Sequence, residues 1–377
     1  MRILHVLEDF SSKNTGITSI VRSLSAWQVQ CYDWVGIFAT GVPDIAVPSG
    51  VEGYFDDTFF FPVSWRRTEG LWDRLVGLIQ NNNVDIVHIH GVWRAASVTA
   101  QRVCSKLSVP TVLSVHGQLE NWAMYRQGQV KKWKKLLYWH LFAKFVFRHV
   151  SVLHAITCGE QQSLKKRLDN PCVVVPNAID ITLIPDDMAC SNNFDCPRRI
   201  VFVGRLHPVK GVDLLIDAFL SLSPKDWQLI IAGPEEVGGY AAELKLRASR
   251  DSLSRIKFVG YVDGDNKWKL FSGAWVVVVP SYSEVVGMVN LEAASCCTPT
   301  ITTYQTGLLD WEEGGGILIK PTVKELRSAL KIAMAWSADE RHQRGIASRR
   351  LVERRYSSSA VREQWKHIYS SLVAEAK

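Results

Sequence analysis

The 377-residue sequence predicts an α/β protein built from two doubly wound, Rossmann-like domains. Three observations carry that expectation. Short apolar runs alternate with amphipathic stretches from end to end. Several of the runs are continuous and β-branched rather than alternating, as for strands buried on both faces of a parallel sheet. A segment rich in Pro, Asn, Ser and Asp then divides the runs into two series.

Strands of the first series are expected at Ile3–Leu7, Asp85–His90, Thr111–Val115, Val152–Ile156 and Cys172–Val175. Those of the second are expected at Ile200–Val203, Gln228–Ala232, Ile256–Val259, Trp275–Val279 and Thr300–Thr303. Helical periodicity lies between them, for example at Ala95–Leu107, Val212–Leu222, Tyr240–Ser249 and Lys324–Trp336. The divider is Asp180–Arg199, with Pro185, Asn192, Asn193 and Pro197. The predicted domains are therefore 1–183 and 184–359. The tail from Ser337 reads as helices, and its last helix, about 360–377, is expected to pack back on the first domain. In open α/β sheets ligands bind outside the carboxyl ends of the strands, so a cleft between the domains is the expected site.

Hydrophobic residues make up 47% and charged residues 21%, which excludes disorder, collagen and coiled coil for most of the chain. No apolar run approaches the roughly 18 residues of a membrane span. The start, Met1–Asp9, turns acidic too early for a secretory signal. The eight cysteines are scattered, with no Cys-x-x-Cys and no Cys/His cluster at zinc spacing. Reduced thiols, a cytoplasmic location and no metal site are the expectation.

Net charge is +7, from 44 basic and 37 acidic residues, and it is unevenly placed. Asn121–Gly159 holds no acidic residue but carries Arg126, Lys131, Lys132, Lys134, Lys135, Lys144 and Arg148. Those seven cations equal the whole excess, so one local patch needs explaining.

Two segments carry candidate chemistry. Val203-Gly204-Arg205 ends a strand, and Lys210-Gly211 then opens a helix. Two cations beside a helix N-terminus suit a pyrophosphate. A solvated strand–helix turn with surface cations has the same spacing. The segment is neither Gly-x-Gly-x-x-Gly nor a P-loop, which argues against a nicotinamide site and nucleotide hydrolysis. The second segment follows Trp275–Val279 and places Glu284 on a loop and Glu292 inside a helix that starts at Gly287. Free N–H groups at Gly287, Met288 and Val289 suit an anion, and Glu292 suits vicinal sugar hydroxyls. A Glu favouring the helix dipole and a half-exposed helical Glu fit equally well. Asp263-Gly264-Asp265 reads as a helix cap or turn.

Taken together, Gly204-Arg205…Lys210-Gly211 and Glu284-x7-Glu292 resemble the signature of glycosyltransferase family 4, the retaining nucleotide-sugar enzymes of GT-B fold. The resemblance covers nearly the whole chain. His116-Gly117-Gln118-Leu119-Glu120-Asn121-Trp122-Ala123, Lys131–Lys135, Leu153-His154-Ala155, Pro176-Asn177-Ala178-Ile179-Asp180 and Ala232-Gly233-Pro234…Gly239-Tyr240 follow in the order of a bacterial surface-polysaccharide branch. The departures are Thr15-Gly16 for Gly-Gly, Val286 for an aromatic, Cys296-Cys297-Thr298-Pro299 for Cys-Gly-x-Pro, and Ala178 for a Gly.

The resemblance implies residue roles. Arg205 and Lys210 would neutralise the leaving diphosphate, Glu292 would bind the ribose, and Glu284 would face the donor sugar. N–H groups at Gly287, Met288 and Val289 would complete the cradle, with Gly204 at its turn. Gly16 would admit the diphosphate without a Cβ clash. Gly233, Tyr261 and Val262 would flank the base. His116 would lie near the transferred sugar, as a proton carrier or a polar clamp. His88, His90 and His154 read instead as strand-end or core histidines. The family is generally metal-independent, so no metal and no cofactor is implied beyond a UDP- or GDP-type sugar donor.

Gln129–Arg148 has helix length, clustered lysines and six aromatics. It suits an amphipathic helix at an anionic membrane surface, with Lys131, Lys132, Trp133, Lys134 and Lys135 as the contact. A domain helix with one buried face and one solvated basic face fits as well. No recognition module accompanies the patch, which argues against nucleic acid.

The expected function is retaining transfer of a sugar to a lipid-linked glycan in O-antigen, capsule, exopolysaccharide or lipopolysaccharide assembly. The enzyme would be peripheral at the inner face of the cytoplasmic membrane. A nucleotide-sugar 2-epimerase of the same fold and a catalytically silent glycan- or membrane-binding scaffold are the rivals.

Overall fold

The continuous apolar runs become parallel strands sandwiched between helices, in two compact units. A computed structural model describes residues 1–11, 15–41, 43–56, 68–119, 129–185, 188, 198–236 and 238–376. One unit comprises Met1–Pro176 and Arg362–Lys377, the other Asn177–Val361. The boundary falls at Pro176/Asn177, a few residues before the Pro/Asn-rich divider. Much of that divider, including 189–197, lies outside the described residues.

The first unit holds β1 (Arg2–Leu7), β2 (Trp34–Thr40), β3 (Glu52–Asp56), β4 (Ile86–His90), β5 (Thr111–Ser114), β6 (Val152–Ala155) and β7 (Cys172–Val174). They form one sheet in the order β3-β2-β1-β4-β5-β6-β7, every pair parallel. Leu4 and Val6 pack on one side with the helices Thr68–Asn81 and Ala95–Leu107. Leu7 packs on the other with Val21 of the helix Thr15–Gln28. Both faces are covered, which is why these strands read as unbroken apolar runs. The runs do not single out β2 and β3: Gly36 interrupts β2, and β3 is a half-exposed edge strand that begins Glu-Gly.

The second unit holds β8 (Arg199–Val203), β9 (Gln228–Ala232), β10 (Ile256–Gly260), β11 (Val276–Val279), β12 (Thr300–Thr303) and β13 (Ile317–Ile319). Their order is β10-β9-β8-β11-β12-β13, again parallel throughout. Helices Val212–Leu222 and Val323–Ala335 cover one face, Gly264–Ser272 and Met288–Ser295 the other. Each sheet reverses strand order once, between β1 and β4 in one unit and between β8 and β11 in the other. The carboxyl ends beside these reversals are where doubly wound sheets place ligands.

Side-chain caps set several helix starts. Thr157, Thr322 and Ser337 each accept the N–H of a Glu three residues on, at Glu160, Glu325 and Glu340. The tail is helical, with Ala338–Arg355 followed by Ser358–Glu375. Residues of the last helix from Arg362 onward belong to the first unit, where Trp365 and Tyr369 lie against His88.

One expectation is corrected. Cys31, Cys104, Cys158, Cys172 and Cys296 are free thiols, but Cys297 is disulfide-bonded. Spacing conceals such a bond, because it joins positions that only the folded chain brings together. The expectation that all thiols are reduced therefore does not hold for Cys297.

The Cys297 carbonyl packs against the helix Ala338–Arg355. A Cβ added at Gly345 would fall 2.0 Å from Cys297 O, a backbone atom that cannot swing away. Ala in a helix interior gains about 0.5–1 kcal/mol over Gly. The clash reverses that sign, since overpacking costs about 1–3 kcal/mol. Gly345→Ala should lower the melting temperature of the second unit by roughly 3–10 °C in calorimetry. An unchanged or raised melting temperature would contradict this packing.

Candidate functional site

In the second unit the site residues collect at the strand-order reversal. Gly204 and Arg205 follow β8, and Ser281–Glu284 follow β11. Lys210 Nζ lies 3.1 Å from Glu284 Oε2, and both side chains are largely buried. The pair therefore joins the ends of two neighbouring strands. Ser281 donates its hydroxyl to Glu284, and the Tyr282 N–H donates to Val209 O at 2.8 Å. Arg205 is more exposed and pairs with Glu236, with His207 Nε2 3.8 Å from the same carboxylate. Each of these two cations is thus paired with its own carboxylate.

Glu292 lies one turn into Met288–Ser295, largely buried, with Lys267 Nζ 2.6 Å from Oε1. Burial raises its pKa, and Lys267 opposes the rise. Gly233 forms the turn after β9. Its φ is +147°, and a Cβ there would meet Gly204 O at 1.8 Å, so no other residue fits without moving β8 or β9. The Gly233 N–H donates to Gly260 O at 2.7 Å, tying the ends of β9 and β10 together. Tyr261 is exposed and Val262 half-buried just beyond. Asp263 takes the N-cap position of Gly264–Ser272, without a side-chain bond to that helix.

The expected cradle of three free N–H groups is corrected. Gly287 N–H donates to Thr306 O and Met288 N–H to Val286 O, both at 3.0 Å. Of the three, Val289 alone has no backbone acceptor among the described residues. The cause is Asn290, which is buried. Its amide donates to Gly287 O and Thr302 Oγ1 while its carbonyl accepts from Thr300, and this folds the Gly287 turn onto the Thr300–Thr306 segment.

In the first unit the carboxyl ends of β1, β4 and β5 bring Glu8, Gly91 and His116 together. His116 has φ +52° and Gly117 φ +72°, a left-handed pair. Glu160 locks this loop by accepting Gly117 N–H at 2.5 Å and Ile156 N–H at 2.7 Å. Gly16 sits in the first turn of Thr15–Gln28 with open space around its Cα. The motif continues through Gln118 and Leu119, and its residues 120–123 lie outside the described residues.

Behind His116 lies a buried polar row. The register pairs His5 with His88, His90 with Ser114, and Ser114 with His154, on one face of the sheet. His116 Nε2 is 2.9 Å from His90 Nδ1, and His90 Nε2 is 3.0 Å from His5 Nδ1. His5 Nε2 is 2.7 Å from Gln28 Oε1, and Gln28 Nε2 is 3.3 Å from the Tyr369 hydroxyl. That hydroxyl is 2.7 Å from His88 Nδ1, and His88 Nε2 is 2.6 Å from Ser114 Oγ. Ser114 Oγ is 2.6 Å from His154 Nδ1, and His154 Nε2 is 2.8 Å from Val175 O. His5, His88 and His90 offer nitrogens within 4.8 Å of one another, a spacing a metal ion can use. All six of those nitrogens already have hydrogen-bond partners, which accounts for the cluster without an ion.

Sequence reasoning missed Glu8, Glu236, Lys267 and Asn290. Glu8 follows β1 directly and accepts Trp93 N–H at 2.9 Å. Burial pushes its pKa up to about 7. Its place at the end of the first strand, beside the reversal, is the signal that would have found it. Lys267 and Asn290 give no such signal, because they become partners only in the folded unit.

The Glycosyltransferase Family 4 model matches residues 15–183, and the Glycosyl transferases group 1 model matches residues 185–350. The chain carries the two domains of a GT-B glycosyltransferase. An uncharacterized glycosyltransferase of Methanocaldococcus jannaschii is 26% identical over 231 residues, 61% of this chain and 59% of that protein. Among solved structures, Anabaena HepE in complex with UDP and glucose matches at a TM-score of 0.74 and 20% identity, over 98% of this chain and 100% of HepE. WaaG, a glycosyltransferase involved in lipopolysaccharide biosynthesis, matches at a TM-score of 0.66 and 15% identity, over 98% of this chain and 99% of WaaG.

The basic segment forms a helix, Gln129–Tyr138, then a π turn, Trp139–Ala143, then Lys144–Phe147. Trp139, Ala143 and Phe147 are buried in the first unit. The opposite face is not simply basic. Trp133, Leu137, Leu141 and Phe145 are 53–67% exposed, at intervals of four. A row at that spacing drifts about 40° per step around an α-helix. The π turn, with i→i+5 bonds, turns less per residue and takes back part of the drift. Lys134, His140, Lys144 and Arg148 are exposed beside the row. Lys132 is half-exposed, Lys135 lies over the Trp93 ring at 5.3 Å, and the Lys131 side chain is outside the described residues. No helix among the described residues is long and apolar enough to cross a membrane.

The buried histidines make the first unit acid-sensitive. Burial lowers the pKa of His5 and His154 to about 4 and of His116 to about 3, and holds His88 and His90 well below the usual value. Below about pH 6.5 the unfolded chain binds protons that the folded unit refuses, so stability falls as pH falls. Glu8 acts oppositely, its raised pKa favouring the fold below neutrality, but it is one group against five. Thermal melts should drop by several kcal/mol of stability between pH 6.5 and 4. A flat profile across that window would contradict the buried, neutral row.

Proposed function

We propose that the protein transfers a sugar from a nucleoside diphosphate sugar to a lipid-linked glycan acceptor, with retention of configuration, at the inner surface of the cytoplasmic membrane. The observation that carries the donor half is the Lys210–Glu284 pair at the β8/β11 reversal, with Arg205 beside it. Breaking a glycosyl–phosphate bond puts negative charge on the departing diphosphate. Cations already held in place stabilise that charge at little cost in reorganisation. Arg205 and Lys210 take this role once the diphosphate replaces Glu236 and Glu284 as their partner.

Glu284 is then free to accept donor-sugar hydroxyls. Glu292, kept in place by Lys267, accepts ribose hydroxyls. Val289 N–H and the Gly204–Gly233 turn complete the diphosphate and base site, with Tyr261 and Val262 at the base. A UDP-type donor is favoured, since HepE is solved with UDP and glucose at 20% identity to this chain. No metal and no cofactor enters this reading.

The acceptor half rests on the exposed row Trp133, Leu137, Leu141 and Phe145 flanked by Lys134, Lys144 and Arg148. Apolar side chains between cations match an anionic bilayer surface: the rings and aliphatics enter the acyl boundary while the cations meet lipid phosphates. A polyprenyl-diphosphate-linked glycan is presented at such a surface. Assembly of a bacterial surface polysaccharide fits both halves.

Lys210→Ala and Glu292→Ala should each reduce donor-dependent turnover to a hundredth or less, with circular dichroism showing that the fold is kept. Turnover at the wild-type level in both would sink the site. For the surface, Trp133→Ser with Leu141→Ser should weaken binding to phosphatidylglycerol vesicles by at least about tenfold, since each large side chain loses about 1.5–3 kcal/mol of burial. Equal binding to neutral phosphatidylcholine vesicles, or no change in the double variant, would reject the membrane reading.

A further inference from the structure

The buried polar row can be read as a directed wire, because one end has only one possible polarity. Val175 O is a carbonyl and can only accept, so His154 Nε2 carries a proton toward it at 2.8 Å. His154 is neutral, since burial disfavours its cation, and its Nδ1 is therefore an acceptor. Ser114 donates to that Nδ1, and its oxygen accepts from His88 Nε2. His88 Nδ1 is then an acceptor, so the Tyr369 hydroxyl donates to it. The Tyr369 oxygen has a lone pair left and takes the Gln28 amide N–H. Gln28 Oε1 accepts from His5 Nε2.

The same alternation continues to the surface of the row. His5 Nδ1 accepts from His90 Nε2, and His90 Nδ1 accepts from His116 Nε2. His116 Nδ1 is left as an unprotonated nitrogen. It is buried and has no hydrogen-bond partner among the described residues. The orientation of Gln28 checks the chain: the order starting at Val175 requires its nitrogen toward Tyr369 and its oxygen toward His5, and the amide sits that way.

We infer that this wire holds His116 as its Nε2–H tautomer, so that Nδ1 is presented as a hydrogen-bond acceptor for a ligand hydroxyl, and that Tyr369, Gln28 and Ser114 are positioning residues which act through it. A buried acceptor without a partner costs free energy until a donor arrives. A neutral hydroxyl satisfies it. A carboxylate or phosphate oxygen meets it lone pair to lone pair and is disfavoured. That the hydroxyl belongs to a sugar rests on the transfer reading above; the polarity of the wire does not. The C-terminal helix thereby gains a role at the site through Tyr369, which the sequence places 253 residues after His116.

The test is ¹⁵N NMR of the full chain, labelled at histidine, without ligand at pH 7.5. The His116 signals are assigned by their loss in His116→Gln. The expected pattern is a protonated Nε2 and an unprotonated Nδ1, the latter far downfield. A His116 with a protonated Nδ1, or an imidazolium, overturns the inference. In Tyr369→Phe the chain loses its direction between His88 and Gln28, and a detectable Nδ1–H population of His116 should appear. Ser114→Ala breaks the wire on the other side of His88 and should do the same if Tyr369→Phe does not fold. An unchanged His116 pattern in a folded variant also overturns it. Because no donor or acceptor is present, loss of the transfer reading and loss of the wire give separate results.

Discussion

Four imidazoles, His5, His88, His90 and His154, have left water in the first unit, and each finds its partners inside the protein. That requirement organises the unit more than any single apolar contact. A neutral imidazole has one donor and one acceptor nitrogen, so a row of them is satisfied only when every polarity agrees with the next. The parallel register supplies the alignment, placing His5 beside His88 and Ser114 between His90 and His154. Gln28 from an early helix and Tyr369 from the last one close the row where the strands cannot. The fold thus ties the chain's two ends to the loop that carries His116.

The second unit solves a different problem with the same topology. Its strand-order reversal opens the ends of β8 and β11 to one another, and there the protein keeps two cations beside carboxylates. Glu236 pairs with Arg205 and Glu284 with Lys210. The glycines nearby serve the backbone first. Gly233 is required because its Cα lies against Gly204 O, and that contact fixes the turns on which the cations stand. Asn290 shows the same economy, using its amide to shape the Gly287 turn, beside which Val289 N–H has no backbone acceptor among the described residues.

The outward face of the basic helix adds a third element. Its buried side packs like any domain helix, but the exposed side carries four large apolar residues in line among cations. Burial inside the unit accounts for Trp139 and Phe147 and does nothing for Trp133 or Leu141. That exposed apolar row is the observation on which the proposed membrane surface rests.

The amino-acid order by itself determined the two-domain α/β plan, because strands covered on both faces must be continuous apolar runs and those runs are visible without coordinates. It pointed to Arg205, Lys210, Glu284 and Glu292 only through the family resemblance, since their spacing alone also fits a solvated turn and an ordinary helix start. It marked His88, His90 and His154 as core or strand-end residues. What joins them was decided only by the tertiary structure. Strand register chose which histidine faces which, and the return of the last helix brought Tyr369 to His88. Packing of the Thr300–Thr306 segment engaged the Gly287 N–H, and a disulfide took up Cys297, where reduced thiols were expected. These are contacts between positions distant in the chain. Local pattern encodes how each segment folds, whereas partnership between segments depends on where folding carries them.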